Sequence, residues 1–184
     1  MVVSLVAAWL LFGRATRPAP AVAPAAATVE LTYPELVTLA ARVKSLQEQH
    51  RYNEALPGTR ALLTQHDLRG RLVAPMLVDY ARMLNNAAFE GGAGAPRSSF
   101  ERIALEQQAL EYTQMAIARA TTPHDRAEAI TLVGLVHEAW GFPYDAYLTY
   151  RAAMDVDPTY DVARQHYQLF VKRLAPRPAT GGAR

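Results

Sequence analysis

The stretch Gly141–Pro158, "GFPYDAYLTYRAAMDVDP", decides how this chain folds. Ala146, Tyr150 and Ala153 recur at steps of four and three, the spacing that places side chains on one face of an α-helix. Gly141 stands where a preceding helix has to stop, because a residue without Cβ takes a positive φ at little cost. Asp157-Pro158 ends the segment and opens the next one. Twelve residues before Ala146 stands Gly134. Small residues at Gly134, Ala146 and Ala153 let two antiparallel helices approach closely, and Tyr150 fills the space one turn beyond Ala146.

The same signals recur upstream. Thr32, Pro34 and Glu35 form a capping box with a proline near the first helical position, and Ser98 with Glu101 forms a second. Pro75, Pro123, Pro143 and Pro158 each suit the first turn of a helix. No segment sustains period-two alternation, so no strand is required. The pattern predicts helices over 34–50, 53–66, 73–89, 99–120, 124–140, 143–155 and 158–174, with short connections except around the loop 90–98. The expected fold class is all-α. The tail 175–184, "APRPATGGAR", has the composition of a disordered segment.

Residues 127–160 resemble a tetratricopeptide repeat, a helix–turn–helix of about 34 residues with small, aromatic and proline positions at set places. Gly134, Gly141, Ala146, Tyr150, Ala153 and Pro158 fall where that pattern asks, while Ile130 replaces the family's large aromatic near the repeat start. Residues 35–68 carry Tyr52 and Ala55 of an earlier repeat, with Arg42 at an apolar position. Residues 74–123 carry Ala109, Tyr112 and Ala116, with Ala81 in place of glycine and an insertion around the Gly-rich loop. The resemblance implies a right-handed α-solenoid of about three repeats, closed by a capping helix over 158–174. In that helix Tyr160, Ala163, Tyr167, Phe170, Val171 and Leu174 form the expected inward stripe, and Arg164, Gln165, Gln168, Lys172 and Arg173 face away.

The chain has 19 Lys+Arg against 17 Asp+Glu, and Arg14 and Arg17 precede the first acidic residue, Glu30. The remainder is neutral, so it has no overall field for collecting phosphates, and nucleic acid is not an expected partner. The absence of cysteine excludes disulfides, thiolate metal sites and a thiol nucleophile. Residues 1–12, "MVVSLVAAWLLF", are apolar apart from Ser4. As a helix they reach about 18 Å, short of a ~30 Å hydrocarbon core but the length of a signal sequence's apolar region. They are expected to target or anchor the chain at a membrane (1–13), with 14–31 as an Ala/Pro-rich linker to the helical domain 32–174. Arg14 and Arg17 argue for a cytoplasmic domain. The long spacer and Ala25–Ala27, a candidate cleavage site, argue for the exported side, which is the expectation.

Signals for catalysis are weak. His50, His66, His124, His137 and His166 never adopt the H-E-x-x-H spacing that puts two metal ligands on one helix face. Asp155, Asp157 and Asp161 lack the glycine and final glutamate of a calcium loop. The Gly-rich loop lacks the G-K-[ST] that makes a phosphate cradle. The expectation is no cofactor, no metal and no enzymatic activity, and a scaffold that binds another protein. The resemblance places the partner groove on the first helix of each repeat: Val37, Ala40, Lys44, Gln47 and Glu48, then Val78, Arg82, Asn85 and Asn86, then Thr131, Leu135 and Glu138. Lys44, Arg82, Asn85 and Asn86 are donors suited to a peptide backbone or carboxylate. Glu128 and Glu138 distinguish this set from an all-basic carboxylate clamp. The alternatives are a structural subunit whose repeats pack on copies of the same chain or on a larger complex without a free groove and, with the least support, an enzyme with an unrecognised site.

Overall fold

Three helix ends show how the backbone turns. At the first, Gly141 has φ +75°, its N–H bonds to the Glu138 carbonyl at 3.0 Å, and the Phe142 N–H bonds to the His137 carbonyl at 2.9 Å. This is the left-handed termination that sets the next helix antiparallel. Gly70 ends another helix in the same manner. His50 does so at a third, with φ +56°, where a side chain makes the conformation costlier.

The computed structural model describes residues 30–91 and 98–174. Among them are seven helices and no strand: α1 Tyr33–Glu48, α2 Tyr52–Leu68, α3 Ala74–Ala88, α4 Ser99–Arg119, α5 Pro123–Ala139, α6 Pro143–Val156 and α7 Asp161–Leu174. All seven belong to the unit that begins at Thr32. The expected anchor (1–13), nearly all of the linker, residues 92–97 of the loop and the tail lie outside the described residues.

Both capping boxes form. The Thr32 N–H donates to the Glu35 carboxylate at 2.7 Å, and at α4 the Ser98 and Glu101 side chains each accept the other's N–H. Pro75, Pro123 and Pro143 sit in first turns, where a missing N–H costs nothing. Pro158 does not. Asp157 takes the N–H and hydroxyl of Thr159 at 2.9 and 2.6 Å, so residues 157–160 make a turn and α7 starts three residues later than expected.

Each helix packs antiparallel on the next. Tyr80 meets Tyr112 edge-on with centroids 4.7 Å apart, Arg60 donates to the Tyr80 hydroxyl at 3.1 Å, and Tyr147 lies against Tyr167 at 5.2 Å. In addition, α3 touches α5 and α5 touches α7. The core sits along these contacts. Leu77, Val78, Ala81, Ala116, Ala129 and Leu132 form one cluster, Tyr80, Leu84, Ala109 and Val136 belong to a second, and Ala127, Ala153 and Ala163 form a third.

The closest approach is in the α5/α6 hairpin. A Cβ on Gly134 would lie 2.5 Å from Cε1 of Tyr150, whose ring is fully buried. The ring cannot swing away, because its hydroxyl donates to Glu138 at 2.9 Å and its face stacks on His166. Gly58 is held similarly in the first hairpin, where a Cβ would meet Val43 at 2.8 Å. The sequence reading did not single out Gly58.

Gly134→Ala should therefore destabilise the fold. Overpacking costs about 1–3 kcal/mol, against a helix-propensity gain of at most about 1 kcal/mol, which at the full gain leaves a net loss of up to roughly 2 kcal/mol. Urea unfolding followed by circular dichroism measures it, and a stabilised variant would contradict the close approach.

Candidate functional site

The residues expected to line a groove do not share one environment. Val78 and Thr131 are buried, at 0% and 2% exposure, and offer nothing to a partner. Val78 belongs to the core between α3 and α5, and the Thr131 hydroxyl donates to the Ala127 carbonyl within its own helix at 2.8 Å. Leu135 is half-buried and packs against the same core. Gly134, Ala146, Tyr150 and Ala153 are buried at the α5/α6 contact, as structural positions.

The polar members form separate groups. Arg82 is about half exposed and ion-pairs with Glu128 of α5 and, at 3.3 Å, with Asp79 one turn away. Glu138 accepts from Tyr150 and lies 3.4 Å from Arg173 of α7. Lys44 is exposed and reaches only Glu48, at 3.9 Å, while the Gln47 amide is directed at the Met83 sulfur. Asn85 has a buried side-chain oxygen without a hydrogen-bond partner. Asn86 faces a different place.

That place is an open cleft of about 650 Å3 where the α1–α2 turn meets the end of α3. Asn86, Phe89 and Glu90 line one side, and His50, Tyr52 and Glu54 the other. Its polar groups are largely engaged with one another: Arg51 pairs with Glu54, the His50 ring meets the Tyr52 hydroxyl at 2.8 Å, and Asn53 donates to Glu90. The expected groove face and this cleft share only Asn86.

Burial pushes the His137 imidazole below its ordinary value. The ring lies 3.3 Å from the Thr149 hydroxyl, which itself donates to the Asp145 carbonyl, so the imidazole nitrogen is the donor in that contact. Burial and the hydrogen bond to Glu138 push the Tyr150 phenol far above its ordinary value, so it remains a neutral donor. Among the described residues no group of three or more His, Cys, Asp or Glu side chains is placed to hold a metal. No described helix is long and apolar enough to cross a membrane.

Two residues with site-like chemistry escaped the sequence reading. Glu106 is 1% exposed, between α4 and the end of α5, and the Trp140 indole N–H donates to it. The signal was present: Glu106 precedes the buried Ala109, Thr113 and Ala116 at helical spacing, so it shares their face. Compared with known proteins, the chain matches no family model, no curated protein and no solved structure.

Two outcomes follow. Arg82→Ala should cost about 1 kcal/mol or less, because the pair it breaks is partly solvated; thermal unfolding checks this, and a larger loss would make Arg82 a structural residue. The second concerns Asp157, whose carboxyl is held below its ordinary value chiefly by the Thr159 hydroxyl and N–H, with His124 adding to it. Its stabilisation is complete above the unfolded-state value of about 3.9 and is lost as pH falls through the lower folded-state value. The stability gap between wild type and Asp157→Asn should be present at about pH 5 and close under stronger acid. A gap that stays constant on acidification would show that the carboxylate charge plays no part.

Proposed function

We propose that this chain is a non-enzymatic scaffold: a tetratricopeptide-like array of stacked helical hairpins that binds a segment of another protein in a cell-envelope assembly. The observation that carries the reading is the contact of α3 with α5 and of α5 with α7. Hairpins stacked through alternate helices leave one face built from α1, α3, α5 and α7, and repeat arrays of this kind use such faces for partners. On it lie Lys44, the Arg82–Glu128 pair and the Glu138–Arg173 pair, mixed charges with the partial exposure that peptide recognition uses. The apolar residues 1–12 hold the array at a membrane, and the Ala/Pro-rich linker sets it off on the exported side.

Crosslinking and affinity purification of the full-length chain from its native membranes tests the proposal, beside Arg82→Glu. One partner recovered in near-stoichiometric yield with wild type and lost with the variant is the expected outcome. The same partners with both proteins would move binding off this face, and no partner at all would remove the scaffold reading.

A second reading, a structural subunit that packs on copies of itself, has its own support. The terminal helix α7 was expected to close the array with a polar outer face, yet Val162, Leu169 and Val171 on it are 42%, 51% and 41% exposed. Sedimentation velocity in detergent separates the two: a monomer at every concentration eliminates self-packing.

A further inference from the structure

At the end of the bundle where α3 and α5 finish and α4 and α6 begin, five side chains make one run of contacts. The Arg102 guanidinium lies over the Phe89 ring, 5.9 Å from its centroid, and its Nε is 3.9 Å from Oε1 of Glu106. The other Glu106 oxygen accepts the Trp140 indole N–H, and Trp140 meets Phe142 edge-on. Phe89 and Phe142 are each 51% exposed.

The weak points of this run define what it lacks. Among the described residues Glu106 Oε1, which is buried, has no hydrogen-bond partner. An unpartnered buried carboxylate oxygen is unfavourable, because it has lost water and gained no donor. Arg102 does not repair this: 3.9 Å is beyond hydrogen-bond reach, and 5.9 Å is near the outer limit of a cation–π contact. Its side chain is 49% exposed, so it can leave. The parts are those that receive a cation: an acid set in a low-dielectric surround, an indole that fixes it and an aromatic face beside it.

We propose that this cluster is a recognition site for an arginine or lysine side chain of a partner protein, and that Arg102 is the internal surrogate which that side chain displaces. A protein segment, rather than a free amine, is the ligand that fits, because Phe89 against Arg102 and Phe142 against Trp140 are half-exposed apolar surfaces that a peptide backbone and its neighbouring side chains would cover. The cleft on the far side of Phe89 gives such a segment room to continue. The site uses neither Arg82 nor Glu138, so it adds a second contact to the scaffold rather than relocating the first.

Trp140 is the natural reporter. In full-length protein carrying Trp9→Phe, Trp140 becomes the sole indole, and its emission is followed during titration with acetyl-hexa-arginine amide, hexalysine and hexaglutamate. The expected result is a saturable change with both cationic peptides and none with hexaglutamate. Glu106→Gln should weaken binding at least about tenfold, as loss of a charge-assisted hydrogen bond does. Phe89→Ala should weaken it less, and Arg102→Ala should tighten it several-fold by removing the competitor. No saturable change, equal affinity in wild type and Glu106→Gln, or weaker binding by Arg102→Ala would each overturn the proposal. Should Glu106→Gln fail to fold by circular dichroism, Arg102→Ala and Phe89→Ala decide alone: opposite shifts support the site, and unchanged affinities overturn it. Because partner recovery is tested at Arg82 and this titration at Glu106 and Arg102, failure of either reading leaves the other standing.

Discussion

The arrangement depends on how closely α6 lies against α5. Gly134 has no side chain because the ring of Tyr150 occupies the space where a Cβ would be. That ring does more than fill space. Its hydroxyl holds Glu138, the same carboxylate stands opposite Arg173, and the ring face stacks on His166. One residue on α6 thereby connects α5 and α7. Shift the ring outward and the contacts that fix the last helix move with it. Elsewhere the spacing is set by rows of alanine with no exposed surface, among them Ala55, Ala81, Ala109, Ala116, Ala127 and Ala163. A core built from alanine brings backbones together, and its stability then comes from many short contacts rather than from a few large side chains.

What could be read from the residues follows from this. The hairpin at 127–156 was legible because its signals are local: a glycine terminator, a first-turn proline and small residues at helical spacing. The helix boundaries came out within two residues for the same reason, apart from α7. There Pro158 looks like a helix start, and only the side chain of Asp157, which binds Thr159 first, shows that it is not. A cap of that type competes with a helix for the same backbone N–H groups, and spacing alone does not say which wins. Pro57 shows the converse, since it sits inside α2 without ending it.

The candidate site was less legible, for a different reason. Helical spacing says which residues share a face, but not how deep that face lies once a neighbour packs on it. Val78 and Arg82 are one turn apart on α3, yet one is fully buried and the other about half exposed. The difference is set by α5, whose Leu132 covers the first while Glu128 reaches out to pair with the second. Likewise Glu106 reads as an ordinary surface acid in "LEQQALEY" until Trp140, some thirty residues on, is brought over it. Such contacts depend on tertiary packing, and no window of a single helix contains them.

Glu106 also bears on why the chain looks as it does. Exchanging a buried ionic group for apolar residues of similar volume is often neutral or stabilising. Leucine or methionine at this position would continue the face of Ala109, Thr113 and Ala116 and leave no oxygen without a donor. Packing therefore does not call for the acid, and its pair with Arg102 is long and half solvated, so within the fold it serves as the acceptor for the Trp140 indole. One Glu106 oxygen meets that indole, and the other, buried beside it, gains a partner only when a donor comes to meet it.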